Sequence, residues 1–268
     1  MGRVRHLSFS DMTYAIVQKE LVVPELEQLK RAFSVSPLLT SLDAQTAAND
    51  AYGILLRGVE ADQAKALREA LLAERIETEL VEEARLPVIP PAKIARQAEF
   101  QPGHLTLYDS MRRPSEISWV DIMFIAAGYV RIREARKQRV APEEPSLHGA
   151  GVAVDLASSI QSRDEEHHHL LADIFLKGGV SRYSITAGEF SFEHLGRRMS
   201  ADLAVNFVFL IQDLAAAAPH AGLNRGAFRA CQRPPELFPY PSKAAFNEEI
   251  TWMLWRIGQL SATQGTGT

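Results

Sequence analysis

The segment Pro114 to Arg133, PSEISWVDIMFIAAGYVRIR, constrains the fold more than any other part of the chain. Ile122, Phe124 and Ala126 alternate with Met123, Ile125 and Ala127, so an extended strand here is apolar on both faces. Such a strand belongs inside a sheet, with packing on either side. Gly128 divides the apolar run and reads as a bend or hairpin corner. Trp119 and Asp121 are placed to shape the turn into the strand, and the arginines after Gly128 leave it on the solvent side.

A chain of 268 residues exceeds the usual size of one hydrophobic core, which predicts two units. Hydrophobic residues at 46% and charged residues at 23% describe an ordinary globular composition. A net charge of −4 gives no general attraction to polyanions and disfavours nucleic acid as a partner. The single cysteine, Cys231, excludes an intrachain disulfide framework. Together with the lack of a secretory apolar region near Met1 and of any run of about 18 apolar residues, this predicts a cytoplasmic protein without a membrane span.

Residues 13 to 86 alternate strand and helix signals. Thr13 to Lys19 is strand-like, and Pro24 suits the first turn of a helix whose Leu26, Leu29 and Phe33 share a face. After an irregular stretch around Leu39 to Asn49 come a strand at Tyr52 to Leu56, a helix at Ala61 to Glu74 and a strand at Ile76 to Val81. This β-α-β-α-β order predicts a ferredoxin-like N-terminal domain over residues 1–86, a small open sheet covered on one side by helices. Pro87, Pro90 and Pro91 make 87–99 a semi-rigid linker. Residues 100–260 are expected to form a larger α+β domain, mostly antiparallel sheet followed by helices, for which pleckstrin-homology-like modules are the fold analogue. Residues 261–268 read as a flexible tail.

Within the first unit, YGILLRGVEADQAKALREALLAERIETELVEEARLP resembles small prokaryotic signal-transducing domains, in which a helix led by acidic and alanine residues precedes a short return into a strand. The resemblance covers residues 13–87. It implies bacterial origin and a binding or regulatory role, and brings no catalytic residues with it.

In the second unit, Lys177-Gly178-Gly179-Val180 predicts a hairpin between a strand through His168, Leu170, Ala172, Ile174 and Leu176 and a return at Ser181 to Thr186. The charged excursion from Arg131 through Gly151 reads as a solvent loop. Ser200 is expected to cap a helix running to about Ala217, with Asp202 near its positive end, and Ser242 to cap a last helix from Lys243 to Leu260.

Candidate chemistry is sparse. His167 and His169 share a strand face with Asp173, a pattern able to supply metal ligands, but a closed site needs more, and a polar strand entrance explains the same residues. Gly149-Ala150-Gly151 lacks the third glycine of a dinucleotide fingerprint, and neither a phosphate-binding loop nor a nucleophile elbow is present. No cofactor is implied. Arg131, Arg133, Arg136, Lys137 and Arg139 form the main basic cluster, suited to phosphate, an anionic lipid head or an acidic partner, or simply solvated. In the last helix Phe246, Ile250, Met253, Leu254 and Ile257 make one apolar stripe, while Trp252 and Trp255 point elsewhere. The tryptophans are therefore available to the Pro-rich loop Cys231 to Ser242, the N-terminal domain, a second copy or a partner protein. These features favour a non-catalytic regulatory, adaptor or assembly protein working through protein contacts or self-association. Two alternatives stay open: an enzyme assembled from dispersed residues such as His194, Arg197, Arg198 and Asp213, and an anion-responsive or phospholipid-responsive binding module.

Overall fold

A computed structural model describes residues 12–50, 52–139, 160–179 and 181–265, with 133–139, 160–166 and 260–265 described by backbone alone. The N-terminal unit runs β1 (Thr13–Gln18), α1 (Leu26–Phe33), α2 (Ser41–Asp50), β2 (Ile54–Glu60), α3 (Ala61–Ala73) and β3 (Thr78–Glu82). Its sheet has the order β2-β1-β3, with β1 antiparallel to both neighbours. Ile16 faces a core with Leu29 and Phe33 of α1, Ala44 and Ala47 of α2, and Leu67 and Leu71 of α3. Burying each of the larger of these side chains contributes about 1.5–3 kcal/mol.

Helix α2 replaces the irregular stretch expected at Leu39 to Asn49. Its start is a reciprocal cap: Asp43 N–H donates to Thr40 Oγ1 (3.3 Å), and Thr40 N–H donates to Asp43 Oδ2 (2.6 Å). Its buried face consists of alanines, so the cap defines this helix where hydrophobic periodicity does not.

The C-terminal part contains β4 (Ala92–Ile94), β5 (Gln97–Gln101), β6 (His104–Tyr108), β7 (Pro114–Ser118), β8 (Ile122–Arg139), β9 (Ile160–Leu176) and β10 (Arg182–Thr186). It continues through α4 (Leu203–Ala217), β11 (Gly222–Leu223), α5 (Arg225–Ala230), β12 (Pro239–Tyr240) and α6 (Lys243–Gly265). The main six-stranded sheet is ordered β11-β8-β9-β10-β4, with β12 also beside β8, and β5-β6-β7 form a separate antiparallel meander. The whole is an α+β arrangement. The expected linker is not purely irregular: β4 joins β10 in parallel and β5 opens the meander, because their backbone groups find partners that the prolines before them lack.

Strand β8 is apolar on both faces and packed on both. Ile125 and Ala127 join Phe207, Leu210, Ile211 and Leu214 of α4, while Phe124, Ala126 and Val130 join Phe246, Ile250 and Leu254 of α6. A bulge at Met123 shifts the register between Ile122, opposite Leu176, and Phe124, opposite Phe175, and so puts Ile122 on the α4 side. Gly128 is not a corner. It stays in register opposite Leu171, and a Cβ there would lie 2.5 Å from the Tyr240 ring, so the glycine permits close approach.

The expected solvent loop also begins later than its charge suggests. β8 stays paired with β9 from Arg131 opposite His168 to Arg139 opposite Ile160, a two-stranded ribbon reaching about 30 Å beyond β12. Backbone pairing, not burial, carries a charged sequence into a strand here. The Gly149-Ala150-Gly151 triplet and most of the strand expected at Gly151 to Ile160 lie outside the described residues. The Gly178-Gly179 turn has both glycines at positive φ (83° and 68°), and β10 returns antiparallel to β9.

Candidate functional site

Helix α6 is the element that joins the two units. Phe246, Ile250 and Leu254 lie on the main sheet, while Trp252 packs with Ala15, Val17, Ile54, Val81 and Leu86 on the N-terminal sheet face opposite α1–α3. Trp252 Nε1 donates to Gln18 O (2.7 Å), and the Arg256 guanidinium reaches the same oxygen (2.6 Å). Trp255 Nε1 donates to Glu79 Oε1 (3.0 Å), and Arg57 holds Glu248 by two bonds (3.0 and 2.9 Å). Gly53 has φ +91°, and a Cβ on it would sit 2.4 Å from the Trp252 ring. Of the destinations the sequence left for the tryptophans, the structure places both against the N-terminal unit.

Behind this seam is a buried polar lock. Asn224, the N-cap of α5, accepts from Ala127 N–H (2.8 Å) and Ala227 N–H (2.9 Å) and donates to Ala127 O (3.0 Å) and the Tyr240 hydroxyl (2.8 Å). The Tyr240 hydroxyl donates to Glu249 Oε2 (2.8 Å), and Arg225 N–H donates to Glu249 Oε1 (2.7 Å). Burial raises the Glu249 carboxyl above the usual glutamate range, and burial with the nearby Glu249 pushes Tyr240 well above the usual tyrosine range. With its carboxylate oxygens, hydroxyl and amide all bonded, this network ties α5 and α6 to β8. Its role is structural.

A different arrangement sits at the root of the ribbon. Asp173, within the apolar end of β9 (170–176), is 0% exposed, and neither of its carboxylate oxygens is hydrogen-bonded. Arg182 Nη1 on β10 stands 3.7 Å from it, and Arg182 Nε also lacks a partner. Lys243, the first residue of α6, is partly buried, with Nζ 4.5 Å from the Phe246 ring centre. It makes no hydrogen bond or ion pair among the described residues. Burial pushes its ammonium below the usual lysine range; Asp173 opposes that shift and Arg182 adds to it. The same residue lines a cavity of about 360 Å³ with Asn49 and Asp50 from the end of α2, Arg131 and Ile132 from β8, and Pro241 and Ser242. The Ser242 hydroxyl donates to Asp50 Oδ1 and caps Ala245 N–H (3.0 Å).

The other sequence candidates are less convergent. His167 is exposed and His169 half-buried, with ring centres 6.5 Å apart and His169 Nε2 unbonded. Asp173 lies beyond Leu171 on the same face, beside two cations, and the described residues gather no group of three or more potential metal ligands. Arg131 Nε donates to Pro241 O (2.8 Å), whereas the side chains of Arg133, Arg136, Lys137 and Arg139 lie outside the described part. His194 stacks on Phe100 (5.0 Å) among Phe190 and Phe192, with neither ring nitrogen bonded and burial lowering its pKa. Arg198 binds both oxygens of Asp213, and Arg197 is exposed, so this quartet supplies no carboxylate free to orient the imidazole. Burial raises the Cys231 thiol, which disfavours the reactive thiolate.

Sequence reasoning passed over Arg182 and Lys243. Two signals were there: an aspartate inside LLADIFL, and a lysine directly after a helix cap, where the helix dipole disfavours a cation. No helix among the described residues is long and apolar enough to cross a membrane. Comparison with protein-family models, with curated proteins and with solved structures finds no match.

Proposed function

We propose that the protein is a non-catalytic regulatory or adaptor protein in which a small ligand in the junction cavity sets how the N-terminal unit and the C-terminal sheet pack, and a partner protein reads the result. One observation carries this reading: the cavity wall is drawn from α2 of the first unit and from β8 and the start of α6 of the second. A ligand bound there contacts both units at once and shifts any equilibrium between two packings by its difference in affinity for them. The resemblance to prokaryotic signal-transducing domains and a cytoplasmic setting are consistent with this role. The ribbon formed by β8 and β9 extends past the strands that flank it and offers an edge to a partner.

The test is a thermal-shift screen of phosphates, carboxylates and sugars on the full chain and on Ser242→Trp, which fills the cavity. Support is a compound that raises the melting temperature of the wild type, leaves the variant unchanged and is recovered chemically intact. Conversion of such a compound into a product would replace this reading with the enzymatic one. Stabilisation of both proteins alike would move the site elsewhere.

A further inference from the structure

A partly buried amine that lines a cavity and has no acidic partner among the described residues is unusual. Lys19, Lys30 and Lys65 each have a carboxylate within 3.3 Å, as surface lysines commonly do. Lys243 has none among the described residues, although even a partly desolvated ammonium is costly without one. Three features oppose its charged form: burial, Arg182 beside it and the positive end of α6, of which it is the first residue. Asp173 acts the other way and more strongly than Arg182, so burial is the main cause of the lowering. Desolvation in a cavity wall is one way in which proteins make a lysine amine easier to deprotonate and so more nucleophilic.

We propose that Lys243 is a carbonyl-binding amine, whose ε-nitrogen condenses reversibly with the carbonyl of a small 2-oxo acid held in the junction cavity. The proposal rests on the cavity reading above and names its ligand class. The nitrogen lone pair attacks the carbonyl carbon and forms a C–N bond. Both amine hydrogens pass to the former carbonyl oxygen, which leaves as water, and a C=N bond remains. No oxidant or co-reactant is needed, and hydrolysis returns the free amine. Arg131 contributes positive charge to the cavity wall for the ligand carboxylate, and Ser242 bonded to Asp50 provides a proton-relay pair in the same wall. The cavity of about 360 Å³ accepts a ligand of this size. Reversible imine formation at the first residue of α6 would couple occupancy to the helix that joins the two units.

The test is reductive trapping of the full chain at neutral pH with pyruvate and cyanoborohydride, followed by peptide mass mapping. The expected result is an adduct on Lys243 that forms severalfold faster than adducts on Lys19 and Lys65, and that is missing from Lys243→Arg, which keeps a long basic side chain and lacks a condensing amine. Lys243→Met serves as a second variant, and circular dichroism establishes that each variant is folded. Equal labelling of Lys243 and the surface lysines, or an unlabelled Lys243 in folded protein, would overturn the proposal. A compound that stabilises the wild type through the cavity while leaving Lys243 unmodified by pyruvate would sink the imine chemistry alone and leave the regulatory reading standing.

Discussion

Replacing Trp252 with alanine removes the ring that fills the seam between the units. The side chain is 9% exposed and packs on Ala15, Val17, Ile54, Val81 and Leu86, and truncating a buried aromatic to alanine costs about 3–5 kcal/mol. The lost indole hydrogen bond adds little, because Gln18 O keeps its bond from Arg256 and is not orphaned. The expected loss is therefore about 4 kcal/mol, a large fraction of the 5–15 kcal/mol typical of a folded chain. Urea unfolding followed by circular dichroism measures it. Hydrogen exchange adds a second reading, with β1 and β3 amides losing more protection than those of the meander β5-β6-β7, which lies in the other unit. A cost below about 1 kcal/mol, within the range of an ordinary surface substitution, would refute the placement of α6 as the joining element.

Glu249→Gln tests the buried lock by its pH dependence. The folded-state pKa of Glu249 is raised, so its contribution is fully present below the unfolded glutamate pKa and is lost as pH rises through the folded value. Wild-type stability should therefore fall relative to Glu249→Gln across that rise in urea titrations, and a difference that grows in favour of the wild type would contradict the sign. Thr40→Ala, at the cap that starts α2, should cost about 1 kcal/mol in the same assay; no loss would mean that Thr40 does not cap that helix. Gly128→Ala drives a methyl group into the Tyr240 ring, which Asn224 and Glu249 hold in place, and should cost about 1–3 kcal/mol. A neutral result would show that Tyr240 can move away.

Much of the fold was legible where burial writes a pattern. Both apolar faces of β8, the Gly178-Gly179 turn, the Ala64-Leu67-Leu71 stripe of α3 and the two apolar sides of α6 are all visible in residue spacing. What escaped lacks such a pattern. The buried face of α2 is made of alanine, and its one clear signal is the Thr40 to Asp43 cap. The charged continuation of β8 to Arg139 owes its strand to β9, which is distant in sequence. At α4 the cap is Asp202, whose carboxylate accepts from Ala204 N–H (2.8 Å), while Ser200 pairs with Asn206. The candidate site was half visible. Asp173 and Arg131 were singled out for metal and anion chemistry, but their convergence with Arg182 and Lys243 depends on β10 pairing beside β9 and on α6 packing over the sheet face.

The most direct test of the account is hydrogen exchange on the full chain with and without the compound that gives the largest cavity-dependent thermal shift. The account predicts added protection at the end of α2 and the start of α6 together, because both line the same cavity. Protection confined to one unit, or spread over the outer meander with none at the seam, would contradict it.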